Sequence, residues 1–334
     1  MSGRSNVMRR VMVRPEAGAI LGALLLWLIF AYLGGSSGFL TIAGTAGILE
    51  VAAQVGIVGT SVALLMMAGQ YDLSVGSTVG ATGMVLALGL SEFHLPVWVA
   101  VLLALTLGLG IGLVNGLLVV KTRLPSFIVT LGSYYVLRGA TIAVARAVTG
   151  LTVVGGLDEY TKNDAFALLF TARFGDFRVA IVWWLLLAAA SAYVLHRTRL
   201  GNWIFATGGS ESAARMVGVP TNRVLISLFM FTAFSASLLA VLQVLAFNGA
   251  DALRGQQKEF EAITAAVIGG TLLTGGYGTA IGPIFGALTL AIVNLGIFFA
   301  GIDTDWYKVV VGCLLLLAVG FNETIRRLAM RVRR

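Results

Sequence analysis

The chain has 334 residues, of which 58% are hydrophobic and only 11% charged, and its mean hydropathy is +0.93. Apolar runs of roughly 20 residues, the length that spans a bilayer, recur along it, which excludes a soluble globular domain and predicts an all-α polytopic membrane protein. The formal net charge is +8, but the basic residues adjoin apolar runs, so they are assigned to orienting insertion and meeting anionic lipid rather than to nucleic acid.

The first run, "AGAILGALLLWLIFAYLGG", follows Arg4, Arg9, Arg10 and Arg14. It has the flank of a signal peptide but no small-residue cleavage site, so it is predicted to stay as a first span at 17–34. Further spans are predicted at 44–68, 73–90, 97–119, 126–146, 179–195, 224–246, 262–274, 280–299 and 306–321, which makes ten within one permease domain covering 1–334. The segment 262–274 is short for a span and is kept as a short or broken helix. Without it the C-terminal arginines would fall outside. With both termini cytoplasmic, the inner side receives the four N-terminal arginines, then Lys121 and Arg123, then Arg197, Arg199, Arg215 and Arg223. It also receives Arg326, Arg327, Arg331, Arg333 and Arg334, so 15 of the 23 basic residues lie on one side. The opposite side receives the loop 147–178, "NGADALRGQQKEFE" and "GIDTD", in which acids outnumber bases.

Little in the chain points to chemistry. Cys313 is alone, and His94 and His196 lie far apart, so neither a disulfide framework nor a metal spacing is present. The four lysines, Lys121, Lys162, Lys258 and Lys308, follow Val120, Thr161, Gln257 and Tyr307, so there is no Gly-Lys-Ser/Thr phosphate loop. The run "GGTLLTGG" at 269–276 lacks the lysine and is assigned to close packing or a backbone kink. No nucleophile, base and orienting group occur together, which argues against an enzyme.

The longest internal cytoplasmic loop, 197–223, carries "GGSESAARMVGVPTNRV". Ser210 suits an N-cap and Glu211 the first turn, Ala213 and Ala214 are helix formers, Gly218 is a stop and Pro220 follows. The result is a helix of about two turns, too short to be stable alone. It lies either on its own protein as a membrane-surface connector or in the grip of a partner.

Polar groups inside spans are costly and therefore informative. Gln54, Asn115 and Asn294 are amides at membrane depth, and with Asp72 at a span end they are candidates for a translocation pathway or gate. Amides suit a neutral, hydroxylated solute because they both donate and accept. Asp72 is assigned first to capping the helix that begins near Ser74. Glu50 and Arg138 are the embedded charges, and an ion pair between them is preferred to direct solute contact. An internal echo links "AGQYDLSVGSTVGAT" at 68–82 with "TGGYGTAIGPIFGAL" at 274–288, sharing Gly69/Gly275, Tyr71/Tyr277, Gly76/Gly282, Gly80/Gly286 and Ala81/Ala287. Paired glycine-interrupted segments point to a pathway or to close helix packing.

The order Gly208-Gly209, Glu211, Ala213, Ala214, Arg215, Gly218 resembles the coupling-helix segment in membrane subunits of bacterial binding-protein-dependent ABC importers of the ribose/xylose/galactose type. "GQYDLSVGS" at 69–77, "NGLLVVKTRLPSFIVTLGSYYVLRG" at 115–139 and "ITAAVIGGTLLTGGYGTAIGPIFGALTLAIVNLG" at 263–296 agree with that family in order and spacing. Ser212 and Gln70 stand where alanine and glycine are usual. The resemblance implies a permease subunit in the bacterial inner membrane that works as a homo- or heterodimer. It implies ATPase partners that bind ATP and Mg and grip Gly209, Glu211, Ala213, Ala214, Arg215, Met216, Val217 and Gly218. A periplasmic binding protein would deliver a monosaccharide or polyol, and the chain itself would need no cofactor. The alternative is an ion-coupled secondary transporter or channel for a small neutral solute, for which Glu50 is the embedded carboxylate.

Overall fold

The computed structural model describes residues 15–162 and 164–331. Arg4, Arg9, Arg10, Arg14, Arg333 and Arg334, which carry most of the charge expected at the two ends, lie outside the described residues. The helices are α1 (Pro15–Gly34), α2 (Ile42–Met67), α3 (Val75–Ser91), α4 (Val97–Thr122) and α5 (Ser126–Thr149). After two one-turn helices, α6 (Asp158–Thr161) and α7 (Leu168–Thr171), come α8 (Ala180–Arg197), α9 (Arg199–Gly209) and α10 (Glu211–Met216). The last are α11 (Thr221–Phe247), α12 (Lys258–Ile268), α13 (Gly282–Phe299) and α14 (Trp306–Arg331). Short strands β1 (Val153–Gly155), β2 (Arg173–Phe174), β3 (Phe177–Arg178) and β4 (Gly249–Asp251) form two two-stranded ribbons.

Every predicted span coincides with a helix, but not every helix is long. Among the described residues seven are long and apolar enough to cross a membrane: α1, α2, α4, α5, α8, α11 and α13. Val75–Ser91 and Trp306–Gly320 are apolar but shorter. The segment predicted at 262–274 as a short or broken helix is α12, which has 11 residues and ends at Ile268, and residues 269–281 are not helical. The break has a steric cause. A methyl on Gly269 would lie 2.6 Å from the Pro283 nitrogen, and Gly270 has φ +90°, a conformation that costs glycine little and other residues more.

The chain forms two compact units, one from residues 1–69, 184–209 and 261–334, the other from 70–183 and 210–260. In the first, α13 packs on α1 and α2. Gly296 makes room for the Phe30 ring, and Phe39 holds Phe30, Trp27 and Phe299 at centroid distances of 6.3, 6.5 and 6.2 Å. The end of α2, the end of α9 and the 275–276 turn meet backbone to backbone. The Gly276 amide donates to the Met67 carbonyl at 2.8 Å, and a methyl on Gly208 would strike that same oxygen and sit 2.6 Å from the Gly276 nitrogen.

In the second unit, α4 and α11 form the tightest crossing. Gly108, Gly112 and Gly116 recur at four-residue spacing, so they share one face of α4 and let α11 approach. A methyl at Gly112 would lie 2.6 Å from the Met230 Cα, and one at Gly116 2.9 Å from the Ile226 Cα. At one end of this unit β1 pairs antiparallel with β4, Val154 opposite Ala250, and Tyr160 stacks on His94 at 6.0 Å. Residues 249–255 also receive α3, since a methyl on Gly80 would lie 3.0 Å from the Ala252 and Arg254 carbonyls. Beside them the Arg254 guanidinium lies over the Phe247 ring at 5.7 Å; burial lowers its pKa, and nearby Asp251 opposes that shift.

The two halves of the sequence echo do the same structural work. Gly76 and Gly80 seat the first turns of α3 on the backbone of 252–255, and Gly282 and Gly286 seat those of α13 on Gly269 and Ala265. Close packing accounts for Gly76, Gly80, Gly282 and Gly286, whereas Gly69 and Gly275 share a positive φ of +79° and +76°.

Candidate coupling segment and buried polar cluster

The two-turn helix predicted after Ser210 is α10, Glu211–Met216. Ser210 is extended (φ −163°, ψ 106°) and its hydroxyl accepts from the Ala213 amide at 3.4 Å. Gly218 ends the segment with φ +84°. Arg215 ties the helix to the start of α11: its Nη2 donates to Glu211 at 2.5 Å and to the Asn222 side-chain oxygen at 2.7 Å, and its Nε donates to the Thr221 hydroxyl at 2.8 Å. The Glu211–Arg215 pair is half-exposed and contributes little stability by itself. The bond to Thr221 fixes the angle at which α10 leaves α11.

Exposure divides the alanines. Ala214 is 4% exposed, whereas Ser212 and Ala213 are exposed and Met216 and Val217 are 82% and 79% exposed. Gly209, at the end of α9, is exposed too, and nothing lies within 4 Å of a methyl built on it. Within the second unit the free face of the segment is therefore small at Ala213 and apolar at Met216 and Val217. The preceding helix α9 lies inside the loop expected at 197–223 and is not among the elements predicted from the sequence.

Asp72 and Asn115, separate candidates in the sequence, belong to one buried cluster in the second unit. Asp72 is fully buried; its Oδ1 faces the Ser74 amide at 2.9 Å and hydroxyl at 2.6 Å, and its Oδ2 faces the Thr232 hydroxyl at 2.9 Å. Asn115, 1% exposed, donates through Nδ2 to the Ser74 hydroxyl at 2.9 Å and accepts the Ser133 hydroxyl at 2.5 Å. Next to them Ser126 and Thr130 of α5 accept the amides of Tyr71 and Leu73, each at 3.0 Å. The irregular backbone of 70–74 is thus satisfied in part by hydroxyls from α5, as buried backbone must be. The expected cap is displaced by one position: Asp72 closes a turn on Ser74, the residue before α3, not on an amide inside the helix.

The remaining candidates lie elsewhere. Gln54 on α2 and Asn294 on α13 are half-buried in the first unit. Glu50 also belongs to the first unit and Arg138 to the second. Arg138 donates through Nη1 to the Ala252 carbonyl at 3.1 Å and lies 5.5 Å from the Tyr134 ring centroid, while its Nη2 is buried without a hydrogen-bond partner.

The family described as branched-chain amino acid transport system / permease component matches residues 44–319. The chain belongs to this permease family. It is 34% identical over 306 residues, 91% of this chain and 92% of the relative, to the ribose import permease protein RbsC of Escherichia coli (strain K12). It is 30% identical over 277 residues, 82% of this chain and 76% of the relative, to the fructose import permease protein FrcC of Rhizobium meliloti. To the galactose/methyl galactoside import permease protein MglC of Haemophilus influenzae it is 29% identical over 280 residues, 80% of this chain and 82% of the relative. No solved structure matches the chain. The matched range of this permease contains both the buried cluster and α10.

Proposed function

We propose that this permease is the membrane subunit of an ABC importer that brings a sugar-like solute, a monosaccharide or polyol, into a bacterial cell. The observation that carries the proposal is the match along 91% of the chain to a ribose import permease, with fructose and galactose import permeases among the other relatives. Family membership counts against the ion-coupled alternative. In this proposal cytoplasmic ATPases bind ATP and Mg and grip Gly209 and, on α10, Ala213, Met216 and Val217, whose free face is small and apolar. Glu211, Arg215 and Gly218 shape the segment rather than meet the partner. A periplasmic binding protein delivers the solute to a pathway formed by two permease copies in the inner membrane. Gln54 and Asn294 are candidates for the pathway or its gate, and Asp72 and Asn115, with their polar atoms taken up inside one unit, frame it.

Ten crossings with both termini cytoplasmic are part of the proposal. Support comes from how the connectors sort. In the second unit β1, β4 and the Tyr160–His94 stack bring together three connectors assigned to the outer side. In the first, Met67, Gly208 and Gly276 bring together three assigned to the inner side.

The energy source tests the whole proposal. Reconstituted alone with a proton or sodium gradient, the permease should not accumulate ribose, fructose or galactose. Accumulation should require its ATPase, its binding protein and ATP. Gradient-driven uptake by the single chain would rule the importer out.

Pairing of Glu50 with Arg138, the two charges the sequence places inside spans, is also proposed. Removing one member of such a pair strands a charge, at about 3–5 kcal/mol, and removing both costs less. In a double-mutant cycle on melting temperature, Glu50→Gln and Arg138→Gln should therefore be strongly non-additive. Simple additivity would dissolve the pair.

A further inference from the structure

Hydrogen counting around Asp72 exposes a conflict. The Thr232 hydroxyl carries one proton, yet its oxygen lies 2.9 Å from Asp72 Oδ2 and 2.9 Å from the Phe229 carbonyl, in donor geometry to both. A carbonyl only accepts, so one of the two contacts needs a proton from elsewhere. Every other donor around the carboxyl is neutral: the Ser74 amide and hydroxyl, both on Oδ1. The Ser74 hydroxyl can give its proton to Asp72 because its own oxygen accepts from Asn115 Nδ2.

Charge points the same way. The elements packed around 70–74 bring no cation to the carboxyl among the described residues. Residues 75–91 of α3 contain no ionisable side chain. The one charge on α4, Lys121, is exposed and six residues beyond Asn115. On α5, Arg138 is turned to Ala252 and Tyr134, and Arg146 lies at the far end of the helix, past Tyr134 and Tyr135. Arg223 of α11 is exposed and nine residues before Thr232. Tyr71 and the buried Glu259, whose carboxylate abuts Gly76, offer no positive charge, and Arg254 of the stretch packed on α3 lies over the Phe247 ring beside Asp251. The α3 N-terminus and the Ser74 donors favour an anion, and the loss of solvation of a fully buried carboxylate opposes them.

We propose that Asp72 is a positioning residue that works as a neutral carboxylic acid, its Oδ2–H donating to Thr232 while the Thr232 hydroxyl donates to Phe229. One proton then completes both contacts, and the clasp joins the 70–74 break to α11 through Thr232 and to α4 through Ser74 and Asn115. The proton is structural and does not leave during transport. This rests on local geometry and not on the identity of the solute or the ATPase.

The test is an infrared spectrum of the full-length protein in nanodiscs, wild type minus Asp72→Asn. A protonated-carboxyl C=O absorption should be present in wild type, absent from the variant and equally intense at pH 5 and pH 8. Asp72→Asn, whose side-chain amide replaces the lost donor, should keep the folded yield and melting temperature. Asp72→Ala and Thr232→Val should lower both, and Thr232→Ser should recover them. A missing band, a band that fades between pH 5 and pH 8, or an asparagine variant as damaged as the alanine one would overturn the assignment.

Discussion

Gly112→Ala is expected to destabilise this permease strongly. A methyl there meets the Phe229 carbonyl oxygen and lies 2.6 Å from the Met230 Cα, both main-chain atoms of α11 that no rotamer can move aside. The two helices must part, which breaks contact along the whole glycine face and costs about 2–3 kcal/mol or more. Gly110, two residues away, is exposed and has nothing within 4 Å of an added methyl. Gly110→Ala should therefore gain about 0.5–1 kcal/mol from helix propensity alone. Thermal melts of the two purified variants should move in opposite directions. Equal behaviour would mean that α4 and α11 do not cross on this face.

The second large effect is expected at α10. Ala213→Arg should leave the spans folded, because Ala213 is exposed, yet weaken ATPase attachment on the order of a hundredfold, equivalent to about 2.8 kcal/mol. The added side chain must either block the approach or bury its charge in the groove that receives the helix. Ala214→Arg is a different experiment: at 4% exposure it forces an arginine into the permease itself and should lower the melting temperature. Ser212→Ala should be nearly silent, since alanine is the better helix former. Pull-down of the ATPase, with hydrolysis measured in nanodiscs, reads all three. Normal attachment of Ala213→Arg would leave α10 as a surface connector.

The fold is legible in the sequence where one signal dominates. Apolar runs locate the seven helices long enough to cross a membrane because bilayer length leaves few alternatives, and α10 is legible because Ser210, Gly218 and Pro220 mark its limits by local chemistry. Features that depend on distant partners are not. Helix α9 is short, and its end is set by Met67 and Gly276, more than sixty residues away on either side. The end of α12 falls earlier than its apolar run suggests because Gly269 is required by Gly282, not by its neighbours. Ser74, Ser126, Thr130, Ser133 and Thr232 give no signal because a hydroxyl in a span looks self-satisfied on its own helix. Only the fold brings them to Asp72 and Asn115. The Gly108, Gly112, Gly116 spacing is visible, but among 42 glycines it carries no label.

Gly208 and Gly209 look like one motif, yet they answer to different judges. Gly208 is held by its own chain, since any side chain would collide with the Met67 carbonyl, whereas Gly209 opens onto empty space. Across related permeases, mutation at the first glycine should be purged whatever ATPase the cell encodes. Drift at the second should track changes in that ATPase. The pair therefore gives adjacent positions with separate evolutionary clocks, one set by folding and the other by partnership.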